Sequence, residues 1–231
     1  MTTRKTLSFL KINMTQAILL SSAYFAPVHF YARFLYHSKV YIEQYEHFSK
    51  QTYRNRCVIF GGNGPISLVV PVVKGRGPKT LMKDVQISYD TEWQRNHWQT
   101  IVSAYNSSPY FEYYQDELEP YFNKKFKYLM DYNQKIHQTI CDFLEIEDHS
   151  EFTEDFEKVP LGTLNFRELI SPKNKKNHDP DFQPLSYTQV FGEKFDFIPN
   201  LSVLDLLFNE GPNAYTFLIK SMKPETDDEK R

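Results

Sequence analysis

Apolar positions recur along this chain in two different periods, and the change near residue 90 divides it. Ala17 to Phe25 is apolar and reads as extended, running into Pro27, whose fixed φ suits the first position of a helix over Val28 to Tyr36. Lys39 to Tyr45 then alternates Val40, Ile42 and Gln44 against Tyr41, Glu43 and Tyr45, as a strand does. Arg56 to Phe60 and Ile66 to Val73 are β-branched runs joined by Gly61-Gly62-Asn63-Gly64, which supplies the positive φ values of a hairpin turn. Pro71 places the second run at an edge or ends it.

From Asp90 the period is helical. Thr91-Glu92-Trp93-Gln94 has the form of a capping box, and Trp93, His97, Ile101, Ala104 and Tyr105 follow on one helical face. Ser108-Pro109 is expected to cap and open a second helix with Phe111, Tyr114, Leu118, Tyr121 and Phe122 on its stripe. Phe126, Leu129, Met130, Asn133, Ile136, Ile140, Phe143 and Leu144 make a third. Ser171 to Pro184 is polar and proline-interrupted, a mobile loop that either lies unconstrained on the surface or serves as a lid. Asn200 to Asn209 closes the pattern with a Leu201, Leu204, Leu207, Phe208 stripe that Gly211-Pro212 terminates. The fold class expected is therefore α/β: a mixed sheet from the first ~90 residues, packed helices, and a helical C-terminal half. One domain spanning 1–231 is expected, with a strand-rich part at 6–90, a helical part at 91–146 and a charged tail from Lys223 that is too polar to pack.

Charge is segregated. Ser49 to Lys83 carries seven cations (Lys50, Arg54, Arg56, Lys74, Arg76, Lys79 and Lys83) and no acid, although the formal net charge is −2, so the remainder sums to −2 − 7 = −9. Such a stretch creates a local positive field suited to an anionic ligand bearing phosphate or carboxylate, or else forms a solvated basic face. If Arg56 begins a strand, Arg54 and Arg56 share a face and two guanidinium forks can clamp a diphosphate, with Lys50, Tyr53 and Asn55 nearby; pairing of these arginines with glutamates is the alternative. Lys74-Gly75-Arg76-Gly77 resembles a flexible phosphate-contacting loop without being a Walker motif. The acidic remainder and a pI near 6.4 argue against a nucleic-acid partner.

Three further groups are candidates for acid/base work. His29 stands where a strand hands over to a helix, the place where α/β sheets hold ligands and where a helix N-terminus favours an anion. Asp90 and His97 cluster with Asn96 at the start of the first long helix and would form an acid/base pair if the fold brought them together, although His97 also fits the apolar stripe. Cys57 and Cys141 lie 84 positions apart, and neither a disulfide nor a metal site is expected of them. No Gly-x-Ser-x-Gly, His-Glu-x-x-His or Cys-x-x-Cys is present, which removes the usual anchors of hydrolase, zinc-protease and redox chemistry, and no motif implies a cofactor. The apolar run Ala17 to Leu20 is too short for a signal peptide, and nothing approaches the ~20 apolar residues of a membrane span, so a cytoplasmic protein is expected.

Tyr24-Phe25-Ala26-Pro27-Val28-His29 resembles the lead-in of nucleotidyltransferases with a His-x-Gly-His motif, but His29-Phe30-Tyr31-Ala32 lacks the glycine and second histidine that contact the nucleotide. A longer likeness covers nearly the whole chain. Ser22-Ala23-Tyr24-Phe25-Ala26-Pro27, Gln51-Thr52-Tyr53-Arg54-Asn55-Arg56-Cys57, Leu68-Val69-Val70-Pro71-Val72, Ile87-Ser88-Tyr89-Asp90, the Asn96-His97-Trp98 stretch running into Ser108-Pro109, and Asn200 through Asn209 together resemble the WbqC-like family, especially its Bacteroidetes form. Members commonly have a Gln-Pro pair before the aromatic and a Trp after the proline, where this chain has Ser21-Ser22 and Val28. The resemblance implies a role in O-antigen or other surface-polysaccharide synthesis, as a transferase acting on a sugar nucleotide or its amino group; a non-catalytic protein that holds an anionic precursor is the alternative.

Overall fold

The computed structural model describes residues 16–73, 80–158, 161–172 and 179–223. Lys74, Arg76 and Lys79, Met1–Lys5, the tail after Lys223 and the middle of the polar loop lie outside the described residues. The strands are β1 Ala17–Ser21, β2 Val40–Glu43, β3 Arg56–Gly61, β4 Gly64–Val69, β5 Ser150–Phe152 and β6 Thr163–Asn165. Four of them form a parallel sheet in the order β5-β2-β1-β6, while β3 and β4 pair separately as an antiparallel hairpin.

The α/β class read from the pattern is the observed one, but the first 90 residues do not make a single mixed sheet. The parallel sheet takes β5 and β6 from beyond residue 148, because three-residue strands carry too little alternation to be seen as strands on their own. The hairpin follows the sequence closely: Gly61 pairs with Gly64 across a two-residue Gly62-Asn63 turn, and Gly64 adopts a φ of 108°. The second run ends at Val69, two residues before Pro71.

Helix α1, Val28–Tyr36, returns the chain from the carboxyl end of β1 to the start of β2. Its sequence VHFYARFLY has His29 and Arg33, one turn apart, as its only strongly polar residues, and every residue of it is buried. The other helices are α2 Trp93–Tyr105, α3 Phe111–Leu118, α4 Pro120–Asn123, α5 Leu129–Phe143, α6 Val203–Glu210 and α7 Ala214–Lys220. The expected stripe on α2 is the buried set Trp93, His97, Ile101, Ala104 and Tyr105.

Two caps differ from expectation. Glu92 rather than Thr91 is the N-cap of α2, without a side-chain bond, because the Gln94 amide donates instead to the carbonyls of Tyr121 and Lys124 at 3.1 and 2.7 Å. Helix α3 starts at Phe111, and the Ser108 hydroxyl donates back to the Tyr105 carbonyl at 2.6 Å, closing α2 rather than opening α3. At α6 the cap is as the pattern implies: Ser202 accepts from the Leu204 amide, and Gly211, at φ 51°, ends the helix. A Cβ on Gly211 would stand 2.5 Å from the Tyr110 ring in a backbone region that L side chains avoid. Gly211→Ala is expected to cost about 2 kcal/mol in urea unfolding, and a loss under about 0.5 kcal/mol would show that this turn relaxes freely.

Candidate functional site

In a parallel sheet the carboxyl ends of the strands form the crevice where ligands dock, above all where neighbouring connections leave in opposite directions. Here β1 connects through α1 to β2 on one side and has β6 on the other, so the crevice falls beyond Ser21 and Asn165. One set of groups lies there, and a second lies on the adjoining face of the sheet.

The first is centred on Arg54. Its Nε and Nη2 donate to Glu46 Oε1 and Oε2 at 2.7 and 2.6 Å, and Nη2 also reaches Ser21 Oγ at 2.8 Å and Glu168 Oε1 at 3.4 Å. Glu46 is buried with it, whereas the Glu168 side chain is 81% exposed. Asn133 on α5 fixes this backbone by donating to the Arg54 carbonyl and to Ser22 Oγ at 2.8 and 2.9 Å. Ser21, Ser22, Tyr53, Arg54 and Phe166 line a cavity of about 10 Å³, room for roughly one water. Burial pushes the Tyr53 phenol up to about 12, so it stays a hydrogen-bond donor at neutral pH.

The second set opens onto the face of the sheet that carries Leu19 and Tyr41. A cavity of about 430 Å³ is floored by Leu19, Tyr41 and Thr163 and ringed by Glu43, Glu151, Thr153, Glu154, Asp155 and Glu157, with no cation among its described lining residues. Glu43 is locked in place: Oε1 accepts from the Tyr45 amide and the Thr153 hydroxyl at 2.8 and 2.9 Å, and Oε2 accepts from Arg167 Nη1 at 2.9 Å. Arg167 is held in turn by Asn165 Oδ1 and the carbonyls of Glu157 and Lys158, and its own carbonyl accepts from Ser21 Oγ at 3.5 Å. A continuous polar chain, Glu43–Arg167–Ser21–Arg54–Glu46, thus joins the acid-ringed cavity to the arginine crevice.

The remaining expected site residues are dispersed. Arg54 lies before β3, in a turn where Gln51 takes a φ of 60°, so it does not share a strand face with Arg56; it turns inward to Glu46, while Arg56 is half-buried and its Nε has no partner among the described residues. Asn55 is buried and donates to the Val70 carbonyl at 2.8 Å, whereas Lys50 is exposed. Asn96 is exposed on α2 beside the hairpin turn, where it lines a shallow cavity with Gly61 and Gly62.

Asp90 and His97 are not brought together. Asp90 accepts from Ser88 Oγ at 2.7 Å at the surface, while the His97 ring is buried against Trp93 with Nδ1 at 3.0 Å from the Tyr24 hydroxyl. Burial holds His97 down to about 4, so the ring is neutral at physiological pH.

His29 heads α1, but that N-terminus is closed to an anion. The Val28 amide donates to the Leu201 carbonyl at 3.0 Å and the His29 amide to Asn200 Oδ1 at 2.9 Å. The His29 ring stacks on Phe182 with centroids 4.1 Å apart, and its Nε2 meets Asp179 Oδ2 at 2.5 Å. Arg33, one turn on, grips the same carboxylate through Nε and Nη2. Burial alone would raise the Asp179 carboxyl, but His29 and Arg33 hold it well below the usual carboxylate range. Phe166 touches the His29 ring and also lines the arginine crevice, so His29 lies one aromatic ring away from it.

Glu43, Glu46, Arg167 and Asp179 were not legible as site residues. One signal was present: residues 145–157 hold seven acids and no Lys or Arg, the complement of the basic stretch.

The architecture is thus that of a parallel-sheet α/β protein with a charged crevice at its strand ends. Residues 22–171 match the profile of the WbqC-like protein family, and the chain belongs to that family. It is also similar to the uncharacterized protein Rv1507c of Mycobacterium tuberculosis, at 26% identity over 197 residues that cover 74% of this chain and 83% of the relative. No solved structure matches the chain. Among the described residues, no helix is long and apolar enough to cross a membrane.

Proposed function

We propose that this protein is a cytoplasmic transferase of surface-polysaccharide synthesis that modifies an amino-sugar nucleotide, the acid-ringed cavity taking the amine and the diphosphate displacing Glu168 at the mouth of the Arg54 crevice. The observation that carries this reading is the cavity of about 430 Å³ on the sheet face, ringed by carboxylates and linked to Arg54 through Arg167 and Ser21. Its size is that of a small-molecule site, and its ring of acids suits an ammonium group. The anionic half of the ligand would replace Glu168, the long and solvent-facing partner of Arg54, at Nη2.

Direct transfer fits the side chains better than a covalent intermediate. Burial pushes the Cys57 and Cys141 thiols up, so neither is a thiolate at neutral pH. In a direct step the amine nitrogen forms the new bond as the donor's leaving group departs, and a base takes the nitrogen's proton. The carboxylates around the amine are placed to take that proton, whereas His29, held by Asp179, stands one ring from the Arg54 crevice on the diphosphate side.

The test is calorimetry and product analysis with a panel of amino-sugar nucleotides and their N-acetylated counterparts. Glu151, exposed on the cavity rim, can be changed to glutamine without disturbing the core. Glu151→Gln is expected to weaken the amine-bearing ligands about tenfold and leave the N-acetylated ones unchanged. Selective binding without turnover across donors would favour a holding protein, and equal affinity for both ligand series would overturn the assignment of the cavity to the amine.

A further inference from the structure

His137 stands one helical turn before Cys141, so their side chains rise from the same face of α5. The chain then leaves the helix and brings Asp148 back to that face just before β5. The donor atoms of these three residues all lie within 4.8 Å of one another. His137 Nε2 is 3.2 Å from Asp148 Oδ1 and 3.6 Å from Cys141 Sγ.

The arrangement is not a nucleophile relay. A relay needs the thiol on one ring nitrogen and the carboxylate on the other, whereas here both approach Nε2, and Nδ1 faces the Tyr31 hydroxyl at 3.3 Å. Three potential ligand atoms this close together can share a cation. Zn–S and Zn–N bonds of about 2.3 and 2.05 Å at a tetrahedral angle put ligand atoms about 3.4 to 3.6 Å apart, close to the two spacings observed.

We propose that His137 Nε2, Cys141 Sγ and Asp148 Oδ1 form a divalent transition-metal site, best suited to zinc, with a fourth position open toward solvent on the Asp148 side. The donor set of one thiolate, one imidazole and one carboxylate selects zinc over magnesium or calcium, which take oxygen ligands alone. The surroundings hold the ligands as outer-sphere groups do. Gln134 Nε2 donates to Asp148 Oδ2 at 2.9 Å, Ser150 donates to Oδ1 through its amide and hydroxyl, and Tyr31 and Phe34 pack on the His137 ring. Cys141 and His137 are buried, whereas the Asp148 side chain is 19% exposed and marks the entry side.

On binding, Cys141 releases its thiol proton to solvent and the one remaining imidazole proton resides on Nδ1, against Tyr31 Oη. Because the thiol must lose its proton to bind, affinity is expected to rise with pH. The metal would tie the end of α5 to the edge strand β5, which borders the acid-ringed cavity through Glu151 and Phe152.

The test uses the full chain, stripped with chelator and kept reduced, titrated with Co²⁺ and then Zn²⁺ at mildly alkaline pH. The expected result is a thiolate-to-cobalt charge-transfer absorption that one equivalent of Zn²⁺ abolishes. Cys57→Ala should keep the band, because Cys57 lies outside the cluster. Cys141→Ala should lose it and bind Zn²⁺ at least about 100-fold more weakly, beyond the loss typical of an outer-sphere group. Should that variant fail to fold, Asp148→Asn carries the same readout with a loss of at least about tenfold. Absence of the band in the parent, its survival in Cys141→Ala, or unchanged Zn²⁺ affinity in a folded variant overturns the proposal and leaves a hydrogen-bonded cluster.

Discussion

Arg54→Ala is expected to lower the unfolding free energy by about 3 to 5 kcal/mol, read from urea denaturation at neutral pH with an unchanged slope. The size follows from what remains: the Glu46 carboxylate, whose side chain is only 8% exposed, loses both guanidinium bonds and is left as a buried charge without its counter-ion. Replacing both partners, as in Arg54→Met with Glu46→Leu, should recover much of that loss, because the cost belongs to the orphaned charge and not to the absent pair. A single-variant loss below about 1 kcal/mol would show that Glu46 is solvated in the absence of Arg54, and that this arginine is held for a ligand rather than for the fold.

Acidification from pH 7 to 5 is expected to remove about 2 kcal/mol of stability through His97, and up to about 3 kcal/mol by pH 4. The folded value, about 4, lies below the ordinary value of 6.5, so the unfolded chain takes up the proton first. The stabilisation is therefore complete above about pH 6.5 and is lost as pH falls toward 4. Burial is the cause: the ring sits beneath Trp93 and Tyr24 and is 6% exposed. His37, also lowered mainly by burial, adds to the loss in the same direction, whereas Asp179 and Asp148, held below the usual carboxylate range, contribute only further down, below about pH 4. His97→Gln keeps a hydrogen-bonding partner for Tyr24 and should flatten the stability profile between pH 7 and 5. Parallel profiles for parent and variant would mean that the histidine is protonated in the fold as readily as in water.

Arg54 and His97 show how far a charged or titratable residue can be read without a structure. Both lie in stretches that the sequence marks out, and in the fold Arg54 pairs with a glutamate while His97 packs on an apolar stripe. His29 is the mixed case. Its position at the strand-to-helix transition was evident, but its partner Asp179 comes from 150 positions away, and the stacked Phe182 from three residues beyond that. No metal site was expected of Cys141, although His137 stands one turn before it on α5, because two donors are an incomplete set until Asp148 joins them.

The sequence by itself determined what depends on neighbours along the chain. The limits of α1 follow from a largely apolar run of nine residues after a proline, the hairpin from a Gly-rich turn between β-branched runs, and the stripe of α2 from its 3.6-residue period. Family membership is legible in the same way, since runs such as Gln51 to Cys57 keep their order in one dimension. Only the tertiary structure decided which strands join the parallel sheet, because β5 and β6 are three residues each and acquire partners only when the chain returns to β1 and β2. It also decided the charges. Arg54 turns inward to Glu46, Arg167 reaches Glu43 across 124 positions, and the acids of 151–157 close around the sheet's open face. A strand's period specifies a face, but the partner of a buried charge is whichever opposite charge the fold carries into reach, and no local pattern encodes that distance.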